Sequence, residues 1–174
     1  VPGRAQPKVL VLCPTRELAQ QVAADAVNLV RGMKGIRIAT VMGGMPYGKQ
    51  IQAIKGAQLV VATPGRLLDL TDSKAIRLDD VKQLVIDEAD RMLDMGFADD
   101  LEAIDKRCAG RTQTLMFSAT FAPKIMSLAN ELTSNAKRIE LAHAGEKHAN
   151  IEQKLHWADS MSHKHKLLEH ILAD

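Results

Sequence analysis

Leu84-Val85-Ile86-Asp87-Glu88-Ala89-Asp90 is the stretch that decides the fold. Three apolar residues read as a buried strand, and carboxylates follow at its C-terminal end. In open α/β sheets, ligands bind outside the carboxyl ends of the strands. Mg²⁺ takes hard oxygen ligands and keeps several waters, so Asp87 suits a metal-holding role. Glu88, one residue on, is placed to orient and deprotonate an attacking water. An Asp-Glu pair by itself also fits a solvated acidic turn capping a helix, and both readings stand at this point.

Working outward, apolar runs alternate with helical patterns. Strands are predicted at Lys8 to Cys13, Ile36 to Met42, Leu59 to Ala62, Leu84 to Ile86, Thr114 to Phe117 and Arg138 to Leu141. Helices are predicted at Arg16 to Val30, Lys49 to Lys55, Pro64 to Leu70, Ala98 to Cys108 and Pro123 to Leu132. Such alternation means an α/β domain with a mainly parallel sheet. Composition shifts at Ala142, and His143 to Asn150 reads as a linker. Beyond it, Ile151 to Trp157 is predicted as a strand and His163 to Leu172 as a helix.

Two strand ends share one chemistry. Val9 to Cys13 runs into Pro14-Thr15-Arg16-Glu17, and Val60 to Ala62 into Thr63-Pro64-Gly65-Arg66. In each, a Thr stands at a predicted helix N-cap, where its oxygen accepts a backbone N–H. Pro64 fits the first helical position. Exposed amides and the helix dipole favour anions there, and an Arg adds a forked phosphate donor. Both turns leave the same sheet edge, so the pair suits successive phosphates of a nucleic acid strand. Neither turn carries an aromatic, which points to backbone recognition with little sequence preference. Plain capping is the competing reading for either turn alone.

Gly43-Gly44-Met45-Pro46-Tyr47-Gly48-Lys49-Gln50 matches G-x-x-x-x-G-K. A phosphate-binding loop ends in Ser or Thr, whose hydroxyl binds Mg²⁺, and Gln50 cannot do that. Pro46 also removes an amide from the would-be cradle. A Gly43-Gly44 turn that lets backbone approach a ligand is the better reading. Ser118-Ala119-Thr120, after another strand, offers two hydroxyls to the Asp87 segment or a simple helix cap.

Bulk properties exclude several classes. The 174 residues are 46% hydrophobic, enough for a core without disulfide or metal staples. Aromatic content of 3% argues against a base-stacking single-strand binder. A net charge of +2, from 23 basic and 21 acidic residues, confines any basic site to a local patch. Cys13 and Cys108 suggest free thiols in a reducing cytoplasm rather than a disulfide framework. No apolar run nears the roughly 20 residues of a membrane span. His163, His165 and His170 fit no common metal spacing and read as a solvated helix.

Together the motifs resemble those of the DEAD-box family of superfamily 2 helicases. Pro14-Thr15-Arg16-Glu17-Leu18 looks like motif Ia, Gly43-Gly44 like the GG motif and Thr63-Pro64-Gly65-Arg66 like motif Ib. Asp87-Glu88-Ala89-Asp90 is identical to motif II, and Ser118-Ala119-Thr120 to motif III. All occur in family order. The flavour of Arg91 to Phe97 is closest to bacterial RhlE-type members. The resemblance implies a RecA-like fold and an ATP- and Mg²⁺-dependent RNA helicase, with RNA as partner. It implies that Asp87 holds Mg²⁺ through water, that Glu88 activates the hydrolytic water, and that Asp90 contacts Ser118 and Thr120. It implies an RNA grip by Pro14, Thr15, Arg16, Gly43, Gly44, Thr63, Pro64, Gly65 and Arg66.

Residues 1–142 are thereby expected to form helicase domain 1, 143–150 a linker and 151–174 the start of a second RecA-like domain. The family's Q motif and A-x-x-G-x-G-K-T loop are not found in the 174 residues. The chain by itself is therefore expected not to turn over ATP. It is also expected to self-associate through unpaired strands, Ile151 to Trp157 included. An ATP-independent nucleic-acid-binding module is the alternative reading.

Overall fold

A strand buried on both faces needs apolar side chains at every position, and Val9–Leu12 and Leu59–Ala62 supply them. The computed structural model describes residues 4–141 and 154–173. In chain order its elements are β1 (Val9–Leu12), α1 (Arg16–Leu29), β2 (Ile38–Val41), α2 (Tyr47–Ile54), β3 (Leu59–Ala62), α3 (Pro64–Asp72) and β4 (Gln83–Ile86). Then follow α4 (Ala89–Asp94), α5 (Ala98–Arg107), β5 (Gln113–Met116), α6 (Pro123–Leu132) and α7 (Met161–Ala173). The strands form one fully parallel sheet in the order β2-β3-β1-β4-β5.

Strand side chains alternate between faces. Leu10, Leu12, Val60, Ala62, Leu84 and Ile86 pack on one face with Leu67 and Leu70 of α3, Met92 of α4, Leu101 and Ile104 of α5 and Leu128 of α6. Val11, Cys13 and Val61 pack on the other with Ala19 and Ala23 of α1. Each fully buried Leu or Ile contributes about 1.5–3 kcal/mol of transfer free energy. β5 closes one edge of the sheet and is only half-covered, with Leu115 and the following Phe117 exposed.

Arg111 locks this edge. Its guanidinium donates to Thr114 Oγ1 (2.7 Å), to the carbonyls of Asp105 and Cys108 (both 3.3 Å), to the Asp105 carboxylate and to the Leu132 carbonyl (3.0 Å). One side chain thus fastens the C-terminal ends of α5 and α6 to β5.

Two predicted strands are absent among the described residues. Arg138 to Leu141 makes no strand, and Ile139 and Leu141 are exposed. Residues 154–157 are likewise assigned to no strand, while residues 151–153 and the expected linker at 143–150 lie outside the described residues. An apolar run becomes a strand only when a neighbour takes its N–H and C=O groups. α4, by contrast, was not foreseen. The chain divides into two units, Val1–Lys137 and Arg138–Asp174. In the second, Ser160 Oγ accepts from the His163 amide (3.1 Å) at the start of α7. No helix among the described residues is long and apolar enough to cross a membrane.

Candidate functional site

The sheet register sets out the site. Val41, Ala62, Leu12, Ile86 and Met116 stand level across all five strands. The ladder continues one residue further. Amides of Thr63, Cys13, Asp87 and Phe117 donate to the carbonyls of Val41, Ala62, Leu12 and Ile86 at 2.8–3.0 Å. Every singled-out motif therefore begins one or two residues beyond a single row on the C-terminal edge. Across that edge the order is Gly43-Gly44, Thr63 to Arg66, Pro14 to Arg16, Asp87 to Asp90, then Ser118 to Thr120. Strands lie about 4.8 Å apart, so three spacings put the Gly43-Gly44 strand end about 14 Å from that of Asp87.

On the carboxylate side, Asp87 is half-buried and its Oδ1 accepts from the Glu88 amide at 2.9 Å. Glu88 sits in the left-handed region, φ 48° and ψ 54°, a conformation non-glycine residues rarely adopt. Its side chain is 3.4 Å from Arg91 Nη1, an exposed pair of little energetic weight. The Ala89 amide donates to the Phe117 carbonyl (2.9 Å), which joins the start of α4 to the end of β5. Asp90 lies in the first turn of α4. Ser118 Oγ accepts from the Thr120 amide at 3.4 Å, and no hydrogen bond links Asp90 to either hydroxyl among the described residues.

Cys13 ends β1 beside these carboxylates. Burial, then the charges of Asp87 and Glu88, push its thiol up to about 12. Burial pushes Cys108 up to about 12 as well. Neither is an activated thiol. Among the described residues no three His, Cys, Asp or Glu side chains are grouped to cage a metal. A single oriented carboxylate at a sheet edge fits Mg²⁺, which is held by one or two carboxylates plus waters and substrate phosphates.

On the other side, Thr15 caps α1 as the sequence predicts, its Oγ1 accepting from the Leu18 amide at 3.3 Å. Thr63 does not behave the same way. It is extended and buried, and its side chain makes no cap bond; Pro64 opens α3 instead. With no N–H on Pro64, the first turn of α3 has one amide fewer to satisfy. Pro14 is buried, whereas Arg16 and Gly65 are exposed. Gly44 has φ +80°, and a Cβ there would collide with Arg16 Nη1. Glycine at this position therefore lets the Arg16 guanidinium lie against the Gly44 backbone.

Arg66 points inward, with only 13% of its side chain exposed. Nη1 donates to the Met45 carbonyl (2.8 Å) and to Gln50 Oε1 (3.2 Å), and Cζ lies 4.2 Å from the Tyr47 ring centroid. Tyr47 Oη donates to Asp69 (2.9 Å), which raises the phenol pKa. Sequence reasoning did not foresee Tyr47 in this network, and it considered Gln50 only as the residue that spoils a phosphate loop.

Comparison with known proteins fits this arrangement. Residues 2–128 match the DEAD/DEAH box helicase family. The chain is 38% identical over 173 residues to the ATP-dependent RNA helicase RhlB of Pseudomonas syringae, covering 97% of this chain and 43% of that protein. It is 43% identical over 137 residues to the ATP-dependent RNA helicase DbpA of Escherichia coli, covering 78% of this chain and 30% of that protein. A crystal structure of a hypothetical ATP-dependent RNA helicase from Sulfolobus tokodaii superposes with a TM-score of 0.72 at 43% identity, over 75% of this chain and 39% of that one. The chain thus spans less than half the length of these relatives. RhlB relatives stand where RhlE-type likeness was expected, and the finer assignment is not made. A five-stranded parallel RecA-like sheet, with five motifs level on one edge, places this chain in the DEAD/DEAH box helicase family.

Proposed function

We propose that this chain serves an ATP-dependent RNA helicase that couples ATP binding and hydrolysis to RNA binding and local duplex unwinding. The observation that carries this reading is the level row of motifs, with carboxylates on β4 and an anion-suited edge on β1, β2 and β3. Asp87 would hold Mg²⁺ through water, and the ion would neutralise phosphate charge as it develops. Glu88 takes the proton of the attacking water. Asp90, Ser118 and Thr120 connect that event to the RNA side, through the α4–β5 junction. Pro14, Thr15, Arg16, Gly43, Gly44, Thr63, Pro64, Gly65 and Arg66 form the RNA-facing edge. We assign residues 1–142 to the first RecA-like domain, 143–150 to a linker and 151–174 to the start of a second, in a cytoplasmic protein.

Arg16 is the exposed cation of that edge. Arg16→Ala is expected to weaken binding of a fluorescein-labelled single-stranded RNA and to flatten the log K against log salt slope by about 0.7, one phosphate's share. Fluorescence anisotropy across a salt series measures this, and an unchanged slope would remove Arg16 from the RNA contact.

An ATP-independent binding module is the second reading. It is favoured because the RNA-facing edge is built from β1, β2 and β3 without help from the carboxylate strand. RNA affinity that is indifferent to nucleotide in the complete helicase would support it. The half-covered edge of β5 also supports self-association of this chain through sheet pairing.

A further inference from the structure

We propose that Gln50 is a positioning residue that fixes the Gly43-Gly44 loop against Arg16, and so shapes the RNA-facing edge; this rests on the reading of that edge given above. Gln50 is fully buried in α2. Its Nε2 donates to the Met42 carbonyl at 2.6 Å, and its Oε1 accepts from Arg66 Nη1 at 3.2 Å. The same Nη1 donates to the Met45 carbonyl at 2.8 Å. Gln50 thus ties down the residue before Gly43-Gly44 directly, and the residue after it through Arg66.

The chemistry admits few substitutes. The Met42 carbonyl can only accept, and a guanidinium can only donate. The side chain between them must donate at one end and accept at the other, which a carboxamide does without charge. A buried amide is unfavourable unless both ends are paired, and here both are. Arg66 is held on its far side by stacking on Tyr47 and by Asp69, 3.7 Å from its Nε. It is therefore committed within the protein, and it acts on RNA through the loop it braces. Gly44, at the middle of the braced segment, carries the Arg16 guanidinium on its open face.

Gln50→Met keeps the volume and removes both bonds; Gln50→Glu keeps a partner for Arg66 and loses only the donor to Met42. Each variant of this chain is tested by anisotropy with a fluorescein-labelled ten-nucleotide oligouridine, below its melting temperature. Amide hydrogen exchange is followed over residues 43–47. Gln50→Met, which loses both bonds, is expected to speed exchange there and to weaken binding about tenfold. In an Arg16→Ala background it should add little further loss, since both act through one contact. Should Gln50→Met fail to fold, Gln50→Glu is expected to show the same direction of change. A lowered melting temperature with unchanged affinity would reduce Gln50 to a core residue and overturn the proposal. Unchanged exchange over 43–47 would overturn it too. If the unmodified chain does not bind the probe, the RNA reading fails, and exchange alone decides whether Gln50 holds the loop.

Discussion

Arg111→Ala is expected to lower the unfolding free energy by about 3 kcal/mol, a large part of the 5–15 kcal/mol typical of a domain. The guanidinium is 15% exposed and its partner Asp105 26%, so solvent screens the pair weakly. Alanine would leave the Asp105 carboxylate without its cation. It would also strip a donor from the carbonyls of Cys108 and Leu132, at the negative ends of α5 and α6. Urea unfolding should show a lower midpoint at an unchanged slope. Arg111→Lys should recover only part of the loss, because an ammonium has no fork to reach several acceptors. A midpoint within error of the unmodified chain would show that α5 and α6 hold β5 without it.

The second large effect separates chemistry from strain at Glu88. In the complete helicase, Glu88→Gln is expected to lower RNA-stimulated ATP turnover by about 10²–10⁴-fold, the range for a lost general base. Stability should hardly move, because Gln inherits the same left-handed backbone. Glu88→Gly should lose turnover equally while gaining about 0.5–1 kcal/mol, since glycine relieves the φ of 48° at some cost in entropy. Steady-state phosphate release and a thermal melt read the two quantities apart. Full turnover in Glu88→Gln would dismiss the base assignment. A Glu88→Gly melt at or below that of Glu88→Gln would show that the left-handed turn stores no strain.

Much of this was legible in the sequence because apolar runs and turn residues speak locally. Leu84 to Ile86 had to be a buried strand, and Asp87 had to emerge at its ligand-facing end. The parallel neighbours followed from alternation. What failed was non-local. Arg138 to Leu141 has the right composition and yet forms no strand, which no local pattern reveals. Thr63 and Thr15 look alike in sequence, but only Thr15 caps its helix, because the buried Thr63 lies in the sheet edge beside Val41. Arg66 read as a free phosphate donor, since its acceptors on Met45 and Gln50 come from 21 and 16 residues earlier. Arg111 carried no motif at all. Its importance arises only where two helix ends and a strand converge.

The level row of strand ends also makes the two edges of the sheet unequal toward insertion. On the motif edge three passages from strand to helix are short, Cys13 to Thr15 after β1, Thr63 alone after β3 and Asp87-Glu88 after β4, while residues 42–46 and 117–122 make longer ones. One added residue in a strand would push its motif out of line by about 3.3 Å and turn its side chains to the opposite face. The far edge is joined by residues 30–37, 55–58, 73–82 and 108–112, which carry none of the motifs. Length can vary there without moving any motif. Descendants of this fold are thus free to grow on one side only, and epitope tags or fluorescent labels belong on that same side.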